Sequence, residues 1–139
     1  MINNNNYNPK TDIIEYLIKR GSDVNIPDAR GITPFHSAVT FSYYEENPYV
    51  IKLLIDNGAK INVQDNDGWT PLHCAMRKLS FSSPKNDEYE SRLEIVDYLV
   101  AKGADLNLRN KDGKTPLECM EHPDDRIIMR LQKYGVSFQ

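Results

Sequence analysis

Only two cysteines, one tryptophan and no long apolar run occur among the 139 residues of this sequence. Two cysteines exclude a disulfide scaffold and a four-cysteine zinc site, and a reducing compartment is the expectation. No apolar stretch approaches the roughly 20 residues of a membrane span. The first eight residues lack the charged-then-apolar pattern of a secretory signal. Positive charge is not in excess either: 17 Lys and Arg against 20 Asp and Glu give a net charge of −3. A nucleic-acid or anionic-membrane binder presents a basic face, so neither partner is expected. Phosphate loops, His-Glu-x-x-His, calcium loops and Gly-x-Ser-x-Gly are all missing. The expectation is a cytoplasmic chain without catalysis, cofactor or metal. What remains is 40% hydrophobic and 27% charged residues, the composition of one soluble globular domain.

The informative feature is repetition. Gly-x-Thr-Pro followed by Phe or Leu occurs at Gly31, Gly68 and Gly113. Gly-(Ser/Ala)-(Asp/Lys)-(Val/Ile/Leu)-Asn occurs at Gly21, Gly58 and Gly103. Both strings recur after 37 and then 45 residues, so the segment joining them has fixed length. Thr followed by Pro is an N-cap and a first helical residue, which predicts helices after Thr33, Thr70 and Thr115. Gly21, Gly58 and Gly103 suit the left-handed position that ends a helix. Ahead of each glycine runs an apolar stripe at helical spacing: Ile13, Ile14, Leu17, Ile18; Val50, Ile51, Leu54, Ile55; Ile95, Val96, Leu99, Val100. A fourth stripe is Ile127, Ile128 and Leu131. Asp28 to Gly31, Asp65 to Gly68 and Asn110 to Gly113 carry the Asp/Asn-x-x-Gly signature of a type I turn. Each unit therefore reads as helix, turn, helix, glycine stop and an extended finger.

These residues resemble the ankyrin repeat. Asp65-Asn-Asp-Gly-Trp-Thr-Pro-Leu-His-Cys-Ala75 matches the family pattern closely, Asp28 to Ala38 matches with Phe35 for Leu, and Asn110 to Cys119 more loosely with Glu118 for His. The resemblance implies an all-α solenoid with β-hairpin-like fingers. Its expected units are a tail with a half repeat at 1–27, repeats at 28–64 and 65–109, and a C-terminal capping repeat at 110–139. The first unit retains only a second helix, about Asp12 to Lys19. Its outer face, with Ile13, Ile14 and Tyr16, lacks a neighbour unless residues 1–11 cover it or a second copy pairs with it. Gln132 replaces the apolar residue of earlier stripes, as a polar outer face requires. Glu118 still forms a capping box with Thr115. Two insertions, 41–48 and 79–89, lie between first and second helices and emerge on one edge. They carry Phe41, Tyr43, Tyr44, Tyr49, Phe81 and Tyr89, either a binding patch or packing for longer helices. Asn3 to Asn6 read as a low-complexity tail.

His36 and His73 read as helix-start residues bonded to the cap. His122 reads as a loop or helix end. Cys74 and Cys119 occupy equivalent sites in stacked repeats, too far apart for a disulfide, and read as structural thiols. Proteins that resemble the ankyrin family bind other proteins through finger tips and first helices. The expected partner-binding residues are Arg30, Ile32, Asn66, Asp67, Trp69, Arg77, Lys111 and Lys114. Trp69 lies in the middle finger, where a hot spot is expected. The expected action is inhibition or recruitment of a partner, as an inhibitor, adaptor or immunity protein, by a monomer or weak homodimer. Small ankyrin-only proteins of viruses and intracellular bacteria are similar in plan. The alternatives are a small molecule or nucleotide held by Trp69 with Lys114, and self-association through the half repeat.

Overall fold

The structure is a computed structural model that describes residues 16–40, 47–83 and 85–134, the side chains of 47 and 48 excepted. Residues 16–19 are helical. There follow α1 (Pro34–Thr40), α2 (Asn47–Asp56), α3 (Pro71–Ser80), α4 (Asp87–Ala101), a 3₁₀ turn (Leu117–Cys119) and α5 (Asp125–Gln132). α1 packs on both α2 and α3, and α3 packs on α4 and on the 3₁₀ turn. First helices thus stack on first helices, each backed by its own second helix.

Thr-Pro starts the first helices as expected. Thr70 is extended (φ −89°, ψ 165°), its hydroxyl accepts the His73 N–H, and Pro71 opens α3. The third copy departs: after Thr115 only a 3₁₀ turn forms. Pro123 disfavours helical backbone at His122, and Asp124 caps α5 immediately beyond, accepting the Ile127 N–H. Too few residues remain for an α-helix. The reciprocal box of Thr115 and Glu118 is present with both bonds at 3.4 Å.

The second helices close with one motif. Gly58 (φ +91°) donates to the Ile55 carbonyl at 3.1 Å and Ala59 to the Leu54 carbonyl at 2.9 Å. This is the Schellman pair, which needs a left-handed residue. The same pairs recur at Gly21 and Gly103. Much of the insertion before Gly103 lengthens α4, which has 15 residues against 10 in α2. Tyr89 is buried in that helix rather than displayed at the edge, whereas Tyr49 is exposed. Phe41, Tyr43 and Tyr44 lie outside the described residues.

The core runs along the stack. Phe35, Val39, Leu72, Met76 and Leu79 of the first helices meet Ile51, Leu54, Leu93, Val96 and Leu99 of the second. Leu54, Leu99 and Leu131 share one register position and are buried, whereas Leu17, at that position in the first unit, is 47% exposed. Tyr16 is exposed as well; Ile13 and Ile14 lie outside the described residues. At the other end Ile127 and Leu131 are buried and Gln132 faces water. Arg126 pairs with Glu90, and Arg130 with Asp97, clamping α5 to α4.

The fingers are turns rather than strands, and no strand occurs among the described residues. Asp28, Asp65 and Asn110 each donate a backbone N–H to the residue four positions on, at 2.9–3.0 Å. Their side-chain oxygens accept two further backbone N–H groups of the same turn. With those groups consumed inside the turn, one backbone bond joins each finger to the next: Asn66 N–H to the Arg30 carbonyl and Lys111 N–H to the Asp67 carbonyl. A ladder needs more than one such rung. The approach is nevertheless close: a Cβ on Gly68 (φ +80°) would lie 2.9 Å from the Asn110 Cα.

Candidate functional site

His36 and His73 are spent on the fold. The Thr70 N–H donates to His73 Nδ1 at 3.1 Å, so the ring proton sits on Nε2, which donates to the Lys114 carbonyl at 2.9 Å. Burial holds the His73 pKa below the usual imidazole value, against the Lys114 carbonyl and the Asp65 charge, which raise it. His36 repeats the geometry with Thr33 and the Trp69 carbonyl, 2.8 Å away. Burial pushes the Cys74 thiol up to about 11 and raises Cys119 too, which makes both weak nucleophiles. Among the described residues no group of three or more His, Cys, Asp or Glu side chains could hold a metal ion.

A groove of about 570 Å³ lies between the fingers and the first helices. Arg30 and Ile32 line it from one finger, and Asp65, Asp67 and Trp69 from the next. Cys74, Arg77 and Lys78 of α3 form its floor and flank, with Thr40 and Phe81 at the helix ends. Five of the eight expected residues thus converge: Arg30, Ile32, Asp67, Trp69 and Arg77. The other three do not line this groove. Asn66 locks its finger to the preceding one, its amide donating to the Ala29 carbonyl at 3.0 Å. Lys111 is exposed and continues the finger bonding through its N–H. Lys114 lines a neighbouring depression of about 230 Å³, beyond Arg77 and Phe81, with Glu118 and Cys119. Trp69 and Lys114 therefore do not share the groove.

One row of side chains organises the groove. Trp69, His73, Arg77 and Phe81 follow one another at intervals of four, which brings them to one side of α3. The Trp69 and His73 rings are tilted with centroids 5.6 Å apart. The Arg77 guanidinium carbon lies over the Trp69 ring at 5.3 Å and over the Phe81 ring at 5.8 Å. His73 anchors the row at its buried end, and Phe81 is 68% exposed at the other. The sequence reading set Phe81 apart with the insertion edge. Its spacing of four from Arg77 was the available signal, and the row extends one residue past the last helical residue because Phe81 is the C-cap of α3.

A stack of short helix pairs joined by capped turns, each burying its apolar face against the next, defines a helical repeat protein. The family model for ankyrin repeats matches residues 2–110 in three copies, and the chain belongs to that family. None of the curated proteins matches it. The finger at Asn110, the 3₁₀ turn and α5 continue the stack beyond the matched residues. Ankyrin repeats typically serve as non-catalytic modules for protein–protein interaction. No helix among the described residues is long and apolar enough to cross a membrane.

Proposed function

We propose that this chain recognises a partner protein across the groove and fingers of its second and third units, and that it acts by occupying the partner's surface, as an inhibitor or recruiter. The observation that carries this reading is the row from Trp69 to Phe81. Aromatic and arginine side chains dominate interface hot spots, and here they stand together where folding does not consume them. Phe81 caps a helix yet exposes most of its ring. The two cysteine thiols, both free, fit a reducing compartment such as the cytoplasm. Trp69→Ala and Phe81→Ala should each weaken capture of the native partner by about 2 kcal/mol or more, with little change in thermal stability. Affinity measured on the partner recovered by the wild-type chain tests this; wild-type affinity in both variants would remove the groove as the site.

A second reading has its own observation. Leu17 exposes 47% of its surface at a position where Leu54, Leu99 and Leu131 are buried, so the first unit offers an apolar face to another copy. A weak homodimer follows from that reading, and light scattering on the wild type and Leu17→Glu decides it.

A further inference from the structure

We propose that the groove receives an extended segment of the partner protein that presents one carboxylate beside an apolar side chain, with the carboxylate seated on Arg77 between Trp69 and Phe81. This rests on the groove being the recognition surface and adds the chemistry of what it recognises.

Three observations support it. The first is the distribution of ion pairs. Arg92, Arg109, Arg126 and Arg130 each pair with a carboxylate of this chain. Among the described residues Arg20, Arg30 and Arg77 form no ion pair; Arg20 is held by the Tyr16 hydroxyl, and the other two line the groove. The second is the setting of Arg77. Its guanidinium lies over two rings, which restricts the side chain while leaving the N–H edge to bond. That edge is a planar fork matching a carboxylate, and less entropy is lost on binding when the fork is already held. The third is the local charge. Arg30 and Arg77 line the groove together with Asp65 and Asp67. Asp65 is turned to its own finger, accepting the Asp67 and Trp69 N–H groups at 2.9 Å. Asp67, which lines the same groove, repels a phosphoryl dianion more strongly than a carboxylate monoanion. The apolar faces of Ile32, Trp69 and Phe81 require an apolar neighbour to the carboxylate.

The probe is a display library of random short peptides selected on the wild-type chain. Trp69, the single tryptophan, reports binding at the groove by its fluorescence. The expected peptides share Asp or Glu next to an apolar residue. Arg77→Gln should weaken them about tenfold, as should the amide replacement of the peptide's acid, and the two losses should not add. Arg30→Gln should weaken them less, and added salt should weaken binding to the wild type. Circular dichroism checks that each variant is folded. Peptides that perturb Trp69 but carry no acid, or that bind Arg77→Gln as tightly as the wild type, overturn the inference and leave the recognition surface standing. A phosphoserine peptide or ATP binding more tightly than the acidic peptides overturns it in favour of a phosphate site. If no peptide of any composition perturbs Trp69, the inference and the groove reading fall together.

Discussion

Leu99 and Leu17 offer a controlled experiment in burial. Both lie in second helices at the same register position, and each supplies the carbonyl that accepts the outer Schellman bond, from Ala104 and Ser22 at 2.9 and 3.0 Å. They differ in their surroundings. Leu99 is 0% exposed between neighbouring units, and Leu17 is 47% exposed. Leu99→Ala removes about three methylene equivalents from a fully buried site in the core that also holds Met76, Leu93, Val96 and Ile127. Partial relaxation leaves a cavity, and the cost is about 3–4 kcal/mol. For a chain of this length that lowers the melting temperature by about 10 °C or more. Leu17→Ala loses a side chain already half in water, and costs under about 1.5 kcal/mol. Urea denaturation followed at 222 nm yields both values. The backbone motif is common to the two sites, so the difference isolates stacking. Equal losses at Leu17 and Leu99, or an unchanged melt for Leu99→Ala, would refute the assigned register.

Other outcomes follow from the turns and charges. The unfolded His73 ring titrates near about 6.5 and the folded one lower. Between the two values the unfolded chain holds more protons, so stability falls as pH drops below about 6.5. Denaturation at a series of pH values should show that loss diminished in His73→Gln. Backbone N–H groups of Ile32 and Arg30 hold the Asp28 carboxyl below its ordinary value, so its contribution is present above about 3.9 and is lost only in stronger acid, apart from the histidine window. Gly68→Ala should cost more than Gly58→Ala in urea denaturation. Both have positive φ, but only at Gly68 does the new Cβ meet backbone, 2.9 Å from the Asn110 Cα. Asp97→Asn breaks the pairing with Arg130, whose members are each about one-third exposed, and should cost under about 1 kcal/mol.

The caps, glycine stops and buried stripe were legible because each depends on residues near in sequence. Thr70 and His73 are three apart, and Leu54 to Ala59 spans one helix end. Two features were illegible for a common reason. The third first helix shrinks to a 3₁₀ turn because Pro123 and the Asp124 cap compete for its C-terminal residues, a balance of local terms that the Thr-Pro signal alone does not weigh. The fingers look like hairpins in pattern, yet Asp65 and Asn110 direct their backbone bonding inward and leave one link per step. Of the residues expected to bind a partner, Trp69, Arg30 and Asp67 line the groove. Asn66 and Lys114 lie outside it, because which side of a turn a residue serves depends on the unit stacked against it.

That same stacking explains where the repeat varies in length. Asn25 reaches the Gly58 carbonyl and the Lys60 N–H at 3.0 and 2.8 Å, and Asn62 makes the equivalent pair with Gly103 and Asp105. His36 and His73 reach the following finger through Nε2. Among the described residues, both backbone-to-backbone bonds between units also lie in the fingers. Every one of these links starts and ends between a helix-closing glycine and the fourth residue after Thr-Pro begins. One residue added in that span would put all of them out of step, and the buried His36 and His73 rings would lose their partners at about 1–3 kcal/mol each. The loop from first to second helix carries none of them, so it accepts eight further residues in the third unit, partly as extra turns of α4. The consequence for recognition is geometric. The span that cannot change length fixes Arg30 and Trp69 relative to one another, α3 carries Arg77 one turn beyond it, and the span that can change supplies Phe81 at its start. A groove built on that seam keeps its spacing while its rim is free to differ, so shortening the chain between Phe81 and Asn86, with both caps kept, should alter binding at Phe81 and leave the Trp69–Arg77 stack and the melting temperature in place.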